Sequence, residues 1–198
     1  MSAIAEYLET RGSAPQPHLY PITVSAYHRM GEMGILDVTQ RTELIDARII
    51  AMAPIGSEHA DWVDRLTRYF IETIPKNITL RPQNPVYLDE NNEPAPDIAL
   101  LRPRRQPYRA AHPHSTDVLL IIEVADTTLS YDRDVKVPIY AQHGIPEVWV
   151  VDVVANCLEI HRQPVEGHYR VRLKPRRDET VALSALAEVS VELGRLIR

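Results

Sequence analysis

The chain has one cysteine, Cys157. That excludes an internal disulfide and a multi-cysteine zinc site, and it fits a reducing cytoplasm. No apolar run exceeds five residues, the length of Val118–Ile122, so nothing in the sequence is suited to spanning a bilayer. The first twenty residues hold Glu6, Glu9 and Arg11 and lack a basic start before an apolar stretch, which predicts no secretory signal and a cytoplasmic location. The seven glycines are scattered, so there is no phosphate-cradling glycine loop. Excess positive charge is missing too. The net charge is −5, whereas a protein that coats nucleic acid non-specifically is more often basic. An enzyme that touches a short stretch of backbone can still be acidic, because a metal site needs carboxylates. Lysine is scarce as well: of 22 basic residues only Lys76, Lys136 and Lys174 are lysines, so each invites the question of why arginine was not used.

What is present suffices for one domain. A chain of 198 residues can bury a real core. Residues 1–20 read as an N-terminal extension, with a short helix at Ile4–Thr10 and a Ser/Pro-rich connector. Residues 21–198 read as the domain. Thr23 starts a helix to about Glu32, and Thr42–Ile45 and Arg48–Met52 flank Asp46-Ala47 as a β-hairpin. Ser57 is expected to cap a long helix to about Ile74, with Trp62, Val63, Leu66, Tyr69 and Phe70 at helical spacing. Strands are expected at Ile78–Arg81, Val86–Leu88, Asp97–Leu101 and Val118–Val124. A helix should run over Asp132–Gln142, and a meander over Glu147–Val153, Cys157–Arg162 and Tyr169–Leu173. The apolar spacing after Ser184 is irregular and predicts no element. The mixture is α+β around one sheet.

Two acids and a lysine carry the chemistry. Glu123 ends the apolar run Val118–Ile122, where a carboxylate is costly unless paired or bound to a cation. If the strands at Asp97–Leu101 and Val118–Val124 are antiparallel neighbours, the start of the first lies beside the end of the second. Asp97 and Glu123 then meet at one end of the sheet. With the carbonyl of Val124 they would form an oxygen-rich site for Mg²⁺, or Mn²⁺ in its place. Such a cation can polarise a phosphate and activate a water. Asp132 is expected as a helix N-cap, with Lys136 one turn in and Tyr140, a candidate substrate contact, on the same face. There the lysine could position water or stabilise a pentavalent phosphate. Taken singly, Asp97 after Pro96 reads equally as a turn residue, and Lys136 reads more readily as a solvated helix residue than as a catalytic one.

Elsewhere Arg102, Arg104, Arg105 and Arg109 crowd the loop between the two acid-bearing strands. They would leave the sheet at the end opposite the carboxylates, either as a solvated loop or as phosphate contacts on a duplex flank. Arg170, Arg172, Lys174, Arg176 and Arg177 form a second basic patch with the same two readings. Cys157 and His161 share a strand face without a visible third partner, which argues against a cysteine nucleophile.

The ordered set Thr42-Glu43-Leu44-Ile45-Asp46, His59, Pro96-Asp97, Ile122-Glu123-Val124, Tyr131–Lys136, Tyr140 and Gly144–Asp152 resembles the Uma-type family of restriction endonucleases, within the PD-(D/E)xK nuclease superfamily. The resemblance covers roughly residues 20–195. It implies a restriction-endonuclease-like fold, with a central mixed β-sheet flanked by helices. It further implies a magnesium-dependent endonuclease acting on DNA, with Asp97 and Glu123 as metal ligands. Glu43 matches the family's upstream acid and would complete the metal site or hold a second ion. His59 matches a family histidine that contacts substrate or makes a local hydrogen bond. The superfamily's usual lysine would fall at Ala125; here the resemblance assigns its role to Lys136. Cutting both strands of a duplex calls for two active sites, which predicts a homodimer. Two other readings stand beside this one: a catalytically inactive nucleic-acid- or protein-binding module with the same fold, and a hydrolase of another phosphate ester.

Overall fold

Thr23 opens the first helix, α1 (Val24–Glu32), its hydroxyl oxygen accepting the Ala26 amide at 3.2 Å. The structure, a computed structural model, describes residues 19–104 and 108–197; the helix expected at Ile4–Thr10 and the arginine at position 105 lie outside them. The expected hairpin forms from β1 (Thr42–Ile45) and β2 (Arg48–Ala51), paired antiparallel. Asp46 and Ala47 turn it with φ of 49° and 58°, the left-handed pair that the tightest hairpin turns need. The long helix is α2 (Ser57–Thr73). Its N-cap is Gly56, which has no side chain to offer, and Ser57 is already inside the helix, so the expected serine cap is not made. The stripe Trp62, Val63, Leu66, Tyr69 and Phe70 is buried as its spacing demands.

A six-stranded mixed sheet follows. Its members are β3 (Thr79–Pro82), β4 (Ile98–Leu101), β5 (Val118–Ala125), β6 (Glu147–Asp152), β7 (Cys157–Val165) and β8 (His168–Leu173), in that spatial order. β5 lies antiparallel to β4 and parallel to β6, and every residue of it is buried. A strand closed in by two neighbours and covered on both faces reads as a continuous apolar run, which is what Val118–Ile122 is. Alternate residues divide between two cores. Leu120, Ile122 and Val124 join Trp62, Leu66 and Phe70 of α2, while Ile121 and Ala125 pack with Val137, Tyr140 and Ile145. Each fully buried branched aliphatic contributes about 1.5–3 kcal/mol.

The crossover from β5 to β6 is helical throughout but not uniform. It begins as α3 (Leu129–Tyr131), widens into a π turn at Asp132–Lys136, and resumes as α4 (Val137–Gln142). Asp132 is therefore inside the helical run, not at its cap. Gly144, at φ +71°, ends the segment as the sequence suggests. Val86–Leu88 is not a strand: its amides bond to Pro94, Pro113 and Asn92 carbonyls, and Tyr87 makes only an isolated bridge to His114. Pro85, Pro94 and Pro96 leave too few donors for a ladder there. The tail forms a second hairpin, β9 (Thr180–Leu183) with β10 (Leu186–Glu192). Val181, Leu183, Val189 and Val191 join the α2 core. A register shift between Leu186 and Ser190 breaks the alternation, which is why the spacing looks irregular in sequence. Among the described residues no helix is long and apolar enough to cross a membrane.

Candidate functional site

β5 outruns β4 at one end, and that mismatch builds the site. The paired register stops at Ile98 opposite Ile122, so the next amides of β5 have no strand partner on that side. The Asp97 carboxylate takes over: Oδ2 accepts the Val124 N–H at 2.8 Å. Oδ1 lies 3.0 Å from His59 Nε2 on α2. With both oxygens engaged, Asp97 has one orientation, beside the end of β5.

Parity places Glu123 on the face shared by Ile121 and Ala125, beneath the crossover helix. There Tyr140 donates its hydroxyl to Glu123 Oε1 at 2.6 Å, and Lys136 donates its ammonium to the same oxygen at 3.2 Å. Lys136 Nζ also lies 3.1 Å from Glu43 Oε2, which β1 brings in from the far side. That same Glu43 oxygen accepts the Ala95 amide at 3.2 Å. The lysine is 4% exposed, so this is a buried ion pair rather than a solvated helix residue. The π turn sets its position: the Val137 amide reaches five residues back to the Asp132 carbonyl.

Glu43, Asp97, Glu123, Asp132 and Lys136 line one pocket of about 250 Å³, walled by residues 50–56 after β1 and closed opposite by Asp126–Thr128. With Asp126, five carboxyl groups thus share the pocket with the Lys136 ammonium and the Arg41 guanidinium. Burial pushes the Glu123 carboxyl up to about 8, with Asp132, Asp97 and Glu43 adding to the rise and Lys136 opposing it. Burial acts to lower the Lys136 pKa, yet the surrounding carboxylates hold it above its ordinary value. His59 is raised chiefly by its hydrogen bond to Asp97. A pocket in which carboxyl oxygens outnumber the cationic groups fits a hard divalent cation.

The structure thus brings Glu43, His59, Asp97, Glu123 and Lys136 together, and Val124 lines the same pocket. Other expected residues fall elsewhere. Tyr140 is fully buried behind Glu123, so its hydroxyl meets that carboxylate and not an incoming substrate. Arg102 and Arg104 leave from the opposite end of β4. Arg102 donates to the Thr116 carbonyl, and Arg104 stacks over Tyr108 at 4.9 Å and faces Asp117. In the second basic patch, Arg172 and Lys174 each lie 2.7 Å from Glu159, and Arg176 lies near Asp178 and Glu179, so much of that charge is compensated.

Asp132 belongs to the pocket although the sequence suggested only a cap. Its Oδ2 accepts the Thr128 hydroxyl at 2.7 Å, and burial raises its pKa. Arg41, also on the pocket wall, carried no signal beyond its closeness to Glu43.

A family model described as "Putative restriction endonuclease", Uma2, matches residues 24–194. No curated protein matches the chain. Among solved structures, a "putative nuclease belonging to DUF820" from Anabaena variabilis superposes with a TM-score of 0.71 at 16% identity, covering 89% of this chain and 97% of that one. At that identity the likeness speaks for the fold.

Proposed function

The chain belongs to the Uma2 family of putative restriction endonucleases, and from that premise we propose that it is a metal-dependent endonuclease hydrolysing DNA phosphodiesters. The observation that carries the reading is the Lys136 ammonium, 3.2 Å from Glu123 and 3.1 Å from Glu43 in the pocket that holds Asp97. A nuclease of this kind needs a lysine beside its second acid. Position 125 is alanine here, and the crossover helix supplies the ammonium instead.

In this reading Asp97 and Glu123 are the metal ligands, with the Val124 carbonyl and Glu43 as further donors. The ion is Mg²⁺, or Mn²⁺ in its place. When bound, it supplies Lewis-acid polarisation of the phosphate and a lowered pKa for the attacking water. The chain's own groups do the rest. His59 and the Val124 amide fix the two oxygens of Asp97. Tyr140 and Lys136 orient Glu123 from behind. The Lys136 ammonium, with two of its three protons directed at Glu43 and Glu123, offers the remaining one to the water or to the charge that builds on the phosphate oxygens. Arg41, on the pocket wall, is the group this reading assigns to the flanking backbone. Two copies of the chain would present one such site to each strand.

The test is cleavage of supercoiled and linear DNA with Mg²⁺ or Mn²⁺ by the wild type, Asp97→Ala and Lys136→Ala. Loss of cutting in both variants, with chelator abolishing the wild-type activity, is the expected result. Cutting by Lys136→Ala at the wild-type rate would remove the lysine from the chemistry. A folded wild type that binds DNA and cuts none on any substrate would overturn the enzyme in favour of a binding module.

A further inference from the structure

A second group of metal-ligating side chains lies apart from the carboxylate pocket. His28 on α1, Glu93 in the turn that pairs with β1, and His112 in the loop before β5 each offer a donor atom, all within 4.8 Å of one another. They line a separate hollow of about 900 Å³, together with Tyr87, Arg81 and Tyr108. From these three residues we infer a second metal site, which takes a transition-metal cation of the zinc type.

The chemistry of the donors selects the ion. Two imidazoles and one carboxylate suit Zn²⁺ and its neighbours, whereas Mg²⁺ and Ca²⁺ prefer oxygen. Ligands on one tetrahedral zinc, each about 2.0–2.1 Å from it, lie about 3.3 Å apart. His28 Nε2 and Glu93 Oε1 are now 2.6 Å apart, so binding replaces that direct hydrogen bond by a shared ion with a small opening of the pair. The rings of His28 and His112 already meet edge to face at 6.1 Å.

The surroundings support the assignment. Glu93 is 3% exposed, and its backbone is tied in both directions to Leu44, which holds the residue in place beside the hollow. Such a group needs a positive partner. The His112 ring lines the same hollow, and in its neutral form an imidazole has the lone pair a metal requires. Three protein donors leave a position for water from the hollow. The ion would also clip together three segments far apart in sequence, and so couple binding to stability.

The experiment is titration of the metal-stripped full chain with Zn²⁺ in excess Mg²⁺, read by calorimetry and by metal content after dialysis. Wild type and Asp97→Asn should each retain one equivalent of zinc, with a raised melting midpoint. His28→Gln keeps a hydrogen-bond donor for Glu93 and removes the imidazole. It and His112→Ala should each weaken zinc binding more than about tenfold and abolish the shift in melting, while unfolding cooperatively without metal. Zinc uptake unchanged in both histidine variants, loss of zinc in Asp97→Asn alone, or no uptake by the wild type would each overturn the site and leave His28–Glu93 a plain ion pair.

Discussion

At the scale of single residues, the buried charges divide into two kinds. Lys136 is shared by two acids, so removing it leaves Glu43 and Glu123 buried without their cation. Lys136→Met should cost about 3–5 kcal/mol of unfolding free energy in urea. Adding Glu123→Gln to that variant should recover a measurable part, because the two positions are coupled. Full additivity in this double-mutant cycle would mean that the pair does not interact in solution. Glu159 is the opposite case, one acid among several bases. Burial alone would raise its pKa, but hydrogen bonds from Lys174, Arg133 and Arg172 outweigh that and hold it down at about 2. In the unfolded chain a glutamate titrates near 4.3. The stabilisation is therefore complete above about that pH and disappears as pH falls toward 2. The stability gap between wild type and Glu159→Gln should stay constant from neutral pH to about pH 5 and close below it. Urea midpoints measured down to pH 3 check this, and a gap that widens in acid would refute it. The sequence exposed Glu123 because a carboxylate after five apolar residues is conspicuous. Glu159 was invisible, since its partners at positions 133, 172 and 174 come from other elements. Asp132 was misread because a cap and a buried acid call for the same residue type.

At the scale of elements, local turn chemistry and the pairing of consecutive strands were readable, whereas the paired hairpin at the end of the chain was not. The β1–β2 turn places Ala47 at φ 58°, where a Cβ crowds the following carbonyl. Its amide and carbonyl are held by Asn91 and Ile22, so the turn cannot relax. Ala47→Gly should stabilise the protein by about 1 kcal/mol, net of the extra freedom it gives the unfolded chain, and raise the melting midpoint by a few degrees. A lower midpoint would show that the turn is not strained in solution. The hairpin was legible from its turn residues, α1 from its cap, and α2 from its apolar spacing although its expected serine cap is not made. Val86–Leu88 was not, because its apolar residues bury inside a proline-rich loop without a ladder. The final hairpin was hidden by its bulge.

For the molecule as a whole, chain order gave an α+β domain and brought Asp97 to Glu123, since neighbouring antiparallel strands need no more than a loop between them. It could not show that β1 would deliver Glu43 to the same lysine, a contact made across most of the domain. The proposed pairing of protomers belongs to this scale. Mixing wild type with a large excess of Asp97→Ala on supercoiled plasmid should turn linear product into nicked circles, because each mixed dimer cuts one strand. Linear product in unchanged proportion would show that one protomer suffices. The π turn at Asp132–Lys136 sets the phase of the crossover helix against β5. A π turn is an α-helix carrying one additional residue. Deleting exposed Asp134 would return the crossover to regular α-helix, but each residue of helix is about 100° of rotation. Lys136 and Tyr140 would no longer both face Glu123. The lysine's place is thus a matter of phase: one inserted residue, and not a new side chain, is enough to bring an ammonium from a helix to the acid of a neighbouring strand.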